Sequence, residues 1–177
     1  MPRPSCLQQA FVVLLVLAVP GTPWAQPVPA PLEPPAGNML LLELRAEGVQ
    51  IYKCTAKKDN SAAYEWKLTA PDAVLYDDRG EKAGTHGNGP SWTAMDGSKV
   101  GAAKKDEAPA PGGRAVPWLL LKATSHEGAG IFSKVTYIQR VDTWAGRPPA
   151  TGATKENAGK ELRVKYEATY RFFGASP

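Results

Sequence analysis

Ten consecutive residues near the C-terminus constrain this chain more than any other feature. Val164, Tyr166, Ala168, Tyr170 and Phe172 alternate with Arg163, Lys165, Glu167, Thr169 and Arg171. Successive side chains of an extended strand point to opposite faces, so the pattern predicts a strand with one face in a core and the other in water. Tyr64, Trp66 and Leu68 alternate with Glu65, Lys67 and Thr69 in the same way. Shorter apolar runs predict further strands over Leu40–Arg45, Val49–Thr55, Ala73–Tyr76, Lys82–His86, Val116–Thr124 and Val135–Trp144. The Trp118–Leu121 run is apolar on both faces, which predicts a strand covered on each side. Glu47-Gly48, Asp78-Arg79-Gly80, Asp96-Gly97-Ser98 and Gly112-Gly113 read as turns, and Gly101–Arg114 reads as a polar loop. No window after residue 25 carries a helical stripe. The pattern predicts an all-β fold, an antiparallel β-sandwich, with a closed β-barrel as the alternative.

A length of 177 residues suits one domain with a real core. Residues 1–25 read as a signal peptide. Arg3 precedes an apolar run from Ala10 to Val19 that is too short to span a bilayer, and small residues follow at Gly21 and Ala25. Cleavage after Ala25 is the preferred site; Pro23 makes a cut near Gly21 the alternative. Cys6 lies before the apolar run, which argues against a lipid anchor. Residues 26–37, QPVPAPLEPPAG, predict an extended, mobile proline-rich linker, and residues 38–177 a single domain. The expected location is periplasmic or secreted, with no transmembrane segment after processing.

Processing removes Cys6 and leaves Cys54 as the mature chain's lone thiol, so no internal disulfide is expected. Cys54 shares a strand face with Tyr52, which predicts a buried, inert thiol. The net charge of +4 falls by one with Arg3, and Lys104-Lys105 is followed at once by Asp106-Glu107. Nucleic-acid binding needs a basic face, and none is supplied.

A set of ordered motifs narrows the family. GVQIYKC (48–54), YEWKLTAPDAVLYDDRGEKAGTH (64–86), GPSW (89–92), DGSKV (96–100), PWLLLKA (117–123), VTYIQRVDTWAG (135–146) and RVKYEATYRFF (163–173) occur in sequence. Together they resemble an exported bacterial and fungal family catalogued as domain of unknown function 3455. The resemblance implies a β-rich secreted domain and no particular activity. Some fungal members carry a malate dehydrogenase label, yet this chain has no Gly-rich strand-to-helix phosphate loop. Members often carry a second cysteine in the stretch matching Gly152–Lys155, where this chain has Ala153-Thr154. The resemblance therefore implies a family disulfide to Cys54 that is absent here.

Candidate chemistry lies mainly between residues 84 and 99. His86, Asp96 and Ser98 are the residue types of a nucleophilic triad, but no nucleophile elbow surrounds Ser98, and Asp96-Gly97-Ser98 suits a turn entering a strand. His86 and His126 are 40 positions apart, and a metal site would need them to meet with Cys54 or an acid such as Asp77. In Val135–Trp144 one face reads Val135, Tyr137, Gln139 and Val141; the other carries Ile138, Arg140 and Trp144. A buried Gln139 must find a hydrogen-bond partner, whether backbone, water or ligand. Trp92 follows Gly89-Pro90 and is expected in a loop that lines a pocket.

The preferred reading is a non-catalytic binding or structural module of the cell envelope. Its candidate binding residues are His86, Trp92, Asp96, Ser98, Gln139 and Arg140, around a small aromatic-lined pocket for a small-molecule or envelope ligand. An envelope hydrolase or metal-dependent enzyme using His86 and Asp96 is the alternative, and a scaffold working through its surface a third. Nothing in the sequence calls for a cofactor.

Overall fold

The computed structural model describes residues 26–87 and 89–177. The expected signal peptide, with Cys6 and Trp24, lies outside the described residues. Eight antiparallel strands follow in chain order: β1 (Asn38–Ala56), β2 (Tyr64–Tyr76), β3 (Lys82–Gly87), β4 (Ser91–Ala94), β5 (Lys99–Ala108), β6 (Trp118–Glu127), β7 (Val135–Ala145) and β8 (Glu161–Ala175). Each pairs with its neighbour in sequence, and β8 returns to β1, so the ladder closes into a ring. The all-β antiparallel class is the one the alternation predicts. Among the described residues, no helix is long and apolar enough to cross a membrane.

β8 carries the sequence pattern directly into space. Tyr166, Ala168, Tyr170 and Phe172 are buried while Lys165 and Glu167 are exposed. On β1 the even-numbered Leu44, Ala46, Gln50, Tyr52 and Cys54 form the matching buried row. Leu44 and Ala46 with the β8 row meet Leu75, Trp92, Val100, Leu121, Phe132 and Ile138 in the main core. Burying one such ring or branched chain contributes roughly 1.5–3 kcal/mol, which makes this row the main source of the fold's stability.

Four expectations change in the structure. The runs Leu40–Arg45 and Val49–Thr55 belong to one strand, because Glu47-Gly48 is not a turn. Gly48 lies within β1, where a Cβ would come within 2.2 Å of the Asp72 carbonyl oxygen. Its missing side chain lets β2 approach closely. Likewise β2 joins the Tyr64–Leu68 and Ala73–Tyr76 runs. The stretch expected as a polar loop from Gly101 is mostly strand, for β5 runs to Ala108 and pairs with β6 from Lys99↔Glu127 to Ala108↔Trp118. Pairing and the burial of Val100 and Ala102 outweigh the weak strand preference of alanine, lysine and acids.

The fourth change concerns the proline-rich lead-in. It was expected to be extended and mobile, yet Ala30–Leu32 forms a 3-10 turn and Leu32 is fully buried. Leu32 packs with Ala110, Ala115, Trp118, Leu120 and Val141 in a second core. Trp118 and Leu120 thus face the lead-in while Leu119 and Leu121 belong to the main core, which explains a run that is apolar on both faces. Prolines shape this segment, and one leucine anchors it.

Candidate functional site

The β3–β4 hairpin sets His86 directly opposite Trp92. Cross-strand partners bring their side chains together on one face. Here the imidazole and indole stack at 4.4 Å between centroids with 6° between planes. Tyr170 of β8 meets both edge-on, at 5.0 Å from His86 and 5.4 Å from Trp92. Gly89, with φ of 71°, takes the left-handed conformation at the tip of the connection, and Pro90 follows it. Trp92 was expected in a loop; it lies in β4 and is 1% exposed. The outward tryptophan is Trp144, at 60%.

Beside the stacked rings lies a pocket of about 260 Å³. All eight strands contribute to its lining. Leu68, Lys104 and Glu107 are exposed and mark its mouth, where Lys104 and Glu107 pair with each other at 2.8 Å. Gln50, Tyr52, His86, Trp92, Arg140 and Tyr170 are buried and form its inner wall. Tyr52 donates its hydroxyl to the Gly146 carbonyl at 2.8 Å. Arg140 donates from Nε and Nη2 to the Pro117 carbonyl, at 3.1 and 2.8 Å.

Two uncharged N–H donors of the inner wall are left over. Gln50 is 1% exposed, and its Nε2 has no hydrogen-bond partner; the Trp92 Nε1 has none either. Gln50 was legible in principle, because it shares strand parity with Tyr52 and Cys54. A glutamine interrupting an apolar row is the signal that drew attention to Gln139 instead.

His86 is held neutral. Burial, opposed by the bond to the Ser91 carbonyl and aided by the positive Arg140, brings its pKa down to about 4. That carbonyl can only accept, so Nδ1, 2.9 Å away, carries the proton. Burial also raises the Tyr52 and Tyr170 phenols above their ordinary value, against the pull of Arg140.

The structure divides the other sequence-derived candidates. Asp96 and Ser98 sit on the β4–β5 turn, at the opposite end of β4 from the hairpin tip. The Asp96 carboxylate accepts from Ser98 N at 2.8 Å, Ser98 Oγ at 2.6 Å and Ile131 N at 2.9 Å. Ser98 Oγ in turn accepts from Phe132 N at 3.2 Å. The pair fastens the β6–β7 connection to a turn, and neither residue lines the pocket. His86, bonded to Ser91, is not joined to them, so the residue types of a triad do not form one.

Gln139 and Arg140 are neighbours on β7 and point to opposite faces. Arg140 enters the pocket wall; Gln139 faces the second core. There Gln139 Nε2 donates to the Leu32 carbonyl at 2.8 Å, and Arg171 donates to its Oε1 at 3.4 Å. The His126 ring bonds the Val135 carbonyl at 2.8 Å. Among the described residues, no group of three His, Cys, Asp or Glu side chains is placed to hold a metal ion. Cys54 is free and buried, its thiol donating to the Thr154 carbonyl at 3.5 Å.

Comparison with known proteins adds the family. The model of a family described as a protein of unknown function (DUF3455) matches residues 35–174. This chain belongs to that family. The match runs from just before β1 to the end of β8, so every strand around the pocket is part of the family's domain. No curated protein and no solved structure matches the chain.

Proposed function

We propose that this domain is a binding module that takes a small, largely apolar ligand into the pocket beside His86 and Trp92. One observation carries the reading. Buried polar groups in a folded protein are almost always hydrogen-bonded, because leaving one unpaired costs about 1–3 kcal/mol. Two residues of the pocket wall nevertheless carry N–H donors without partners, Gln50 at Nε2 and Trp92 at Nε1. Apolar walls with a few convergent polar groups are the usual make-up of small-molecule sites. A ligand that enters supplies both the missing apolar contacts and the missing acceptors.

The neutral dye N-phenyl-1-naphthylamine tests the pocket itself. Its fluorescence should rise saturably with one site per chain. Leu68→Trp, which narrows the mouth at an exposed position, should weaken that binding. A rise that never saturates, or one indifferent to Leu68→Trp, would overturn the reading.

We further propose that the module works outside the cytoplasm, supported by the charged-apolar-small order of residues 1–25. The intact mass of the exported chain should begin near Gln26; retention of Met1–Ala25 would contradict this.

A further inference from the structure

We infer that the ligand is an anion, a monocarboxylate on a flat apolar body, with Arg140 as its charge partner. The inference rests on the pocket being a binding site and names the chemical class that it takes.

Arg140 is 8% exposed and lines the pocket. A charge so far from water is normally paired, since its desolvation is expensive. Among the described residues, no carboxylate lies within salt-bridge distance of it. Every acid in an ion pair has another partner, including Glu107 at the mouth, which is tied to Lys104. The Pro117 carbonyl engages Nε and Nη2, and the Tyr170 hydroxyl interacts with the same guanidinium. A guanidinium has five N–H donors, and neutral carbonyl and hydroxyl oxygens leave its charge without a counter-ion.

The surrounding groups point the same way. Gln50 and Trp92 line the same pocket, and their Nε2 and Nε1 are buried donors without acceptors. His86 is neutral and adds no second positive charge. With Lys104 at the mouth already paired to Glu107, a single unpaired cation in the inner wall suits one negative charge spread over two oxygens, and a carboxylate fits the planar fork of a guanidinium. A phosphate dianion would leave one charge uncompensated in a buried wall. Stacked His86 and Trp92, with Leu119 and Leu121, give the body of the ligand flat, apolar surfaces.

The test compares 2-naphthoate with its neutral isostere 2-naphthamide, each displacing N-phenyl-1-naphthylamine at neutral pH. Charge-assisted bonding to Arg140 should make the carboxylate roughly ten- to a hundredfold tighter. Arg140→Gln should abolish that preference, so that the two compounds displace the dye equally. The wild-type comparison carries the test alone if the variant does not fold. Equal displacement by the two compounds, or preference for the amide, would overturn the carboxylate assignment and leave the pocket standing. Failure of the dye itself to bind would remove the pocket and the assignment with it.

Discussion

Two glutamines, equally buried at 1% exposure, separate the two cores of this molecule. Gln139, outside the ring of strands, is bonded at both ends of its amide, to the Leu32 carbonyl and to Arg171. Gln50, within the buried row of β1, leaves its Nε2 without a partner. The outer core is closed by its own lead-in segment, which brings a leucine and a carbonyl to Gln139. Its one unpaired indole N–H, that of Trp118, lies beside no pocket among those described. The inner core is closed except for a pocket, and the residues that carry its unpaired N–H donors line that pocket. Burial of a polar side chain therefore does not mark a site. Burial without a partner, beside a cavity, does.

The largest effect should come from the ring shared by core and pocket. Trp92→Ala removes a fully buried indole stacked on His86, and should cost about 3–5 kcal/mol in urea unfolding. A cost below about 1 kcal/mol would mean that Trp92 only lines the pocket, as its position after Gly89-Pro90 suggests in sequence.

A smaller effect should follow pH. The unfolded His86 ring titrates near 6.5 and the folded one near 4. Between these values the unfolded chain takes up a proton that the folded chain refuses. The neutral ring's contribution is thus complete above pH 6.5 and is lost as pH falls, by roughly 3 kcal/mol at pH 4. Urea midpoints across that window should slope in wild type and flatten in His86→Phe. An unchanged slope in the variant would locate the titration elsewhere. Asp96, whose pKa is lowered chiefly by the Ser98 hydroxyl, loses its contribution only at lower pH, below the ordinary carboxylate value.

Much of this fold was legible because alternation is a local property. β8 and the two-faced Trp118–Leu121 run follow from parity alone, and turn chemistry brings His86 near Trp92 but does not show that Trp92 lies in a strand. Closure of the ladder, and a strand made of Gly101, Ala102, Lys104 and Lys105, depend on partners far along the chain that no local window contains. The site was half legible for the same reason. Parity put Arg140 and Gln139 on opposite faces but gave no sign of which face held a cavity. Residue types suggested a triad from His86, Asp96 and Ser98, whereas β4 holds them at opposite ends. The lead-in looked like a free linker because composition reports stiffness and does not reveal where Leu32 docks.

The contrast between the two glutamines is tested most directly by giving each the same substitution. Gln139→Leu strands the Leu32 carbonyl in the outer core and should lower stability by about 1–3 kcal/mol. Gln50→Leu replaces an unpaired amide with an apolar chain of similar size. Its ligand-free thermal midpoint should equal or exceed that of wild type, since it removes an unmet polar group at little cost in packing. A midpoint for Gln50→Leu that falls as far as that of Gln139→Leu would show that both glutamines hold the fold together, and would contradict the reading of the inner pocket as a site awaiting its ligand.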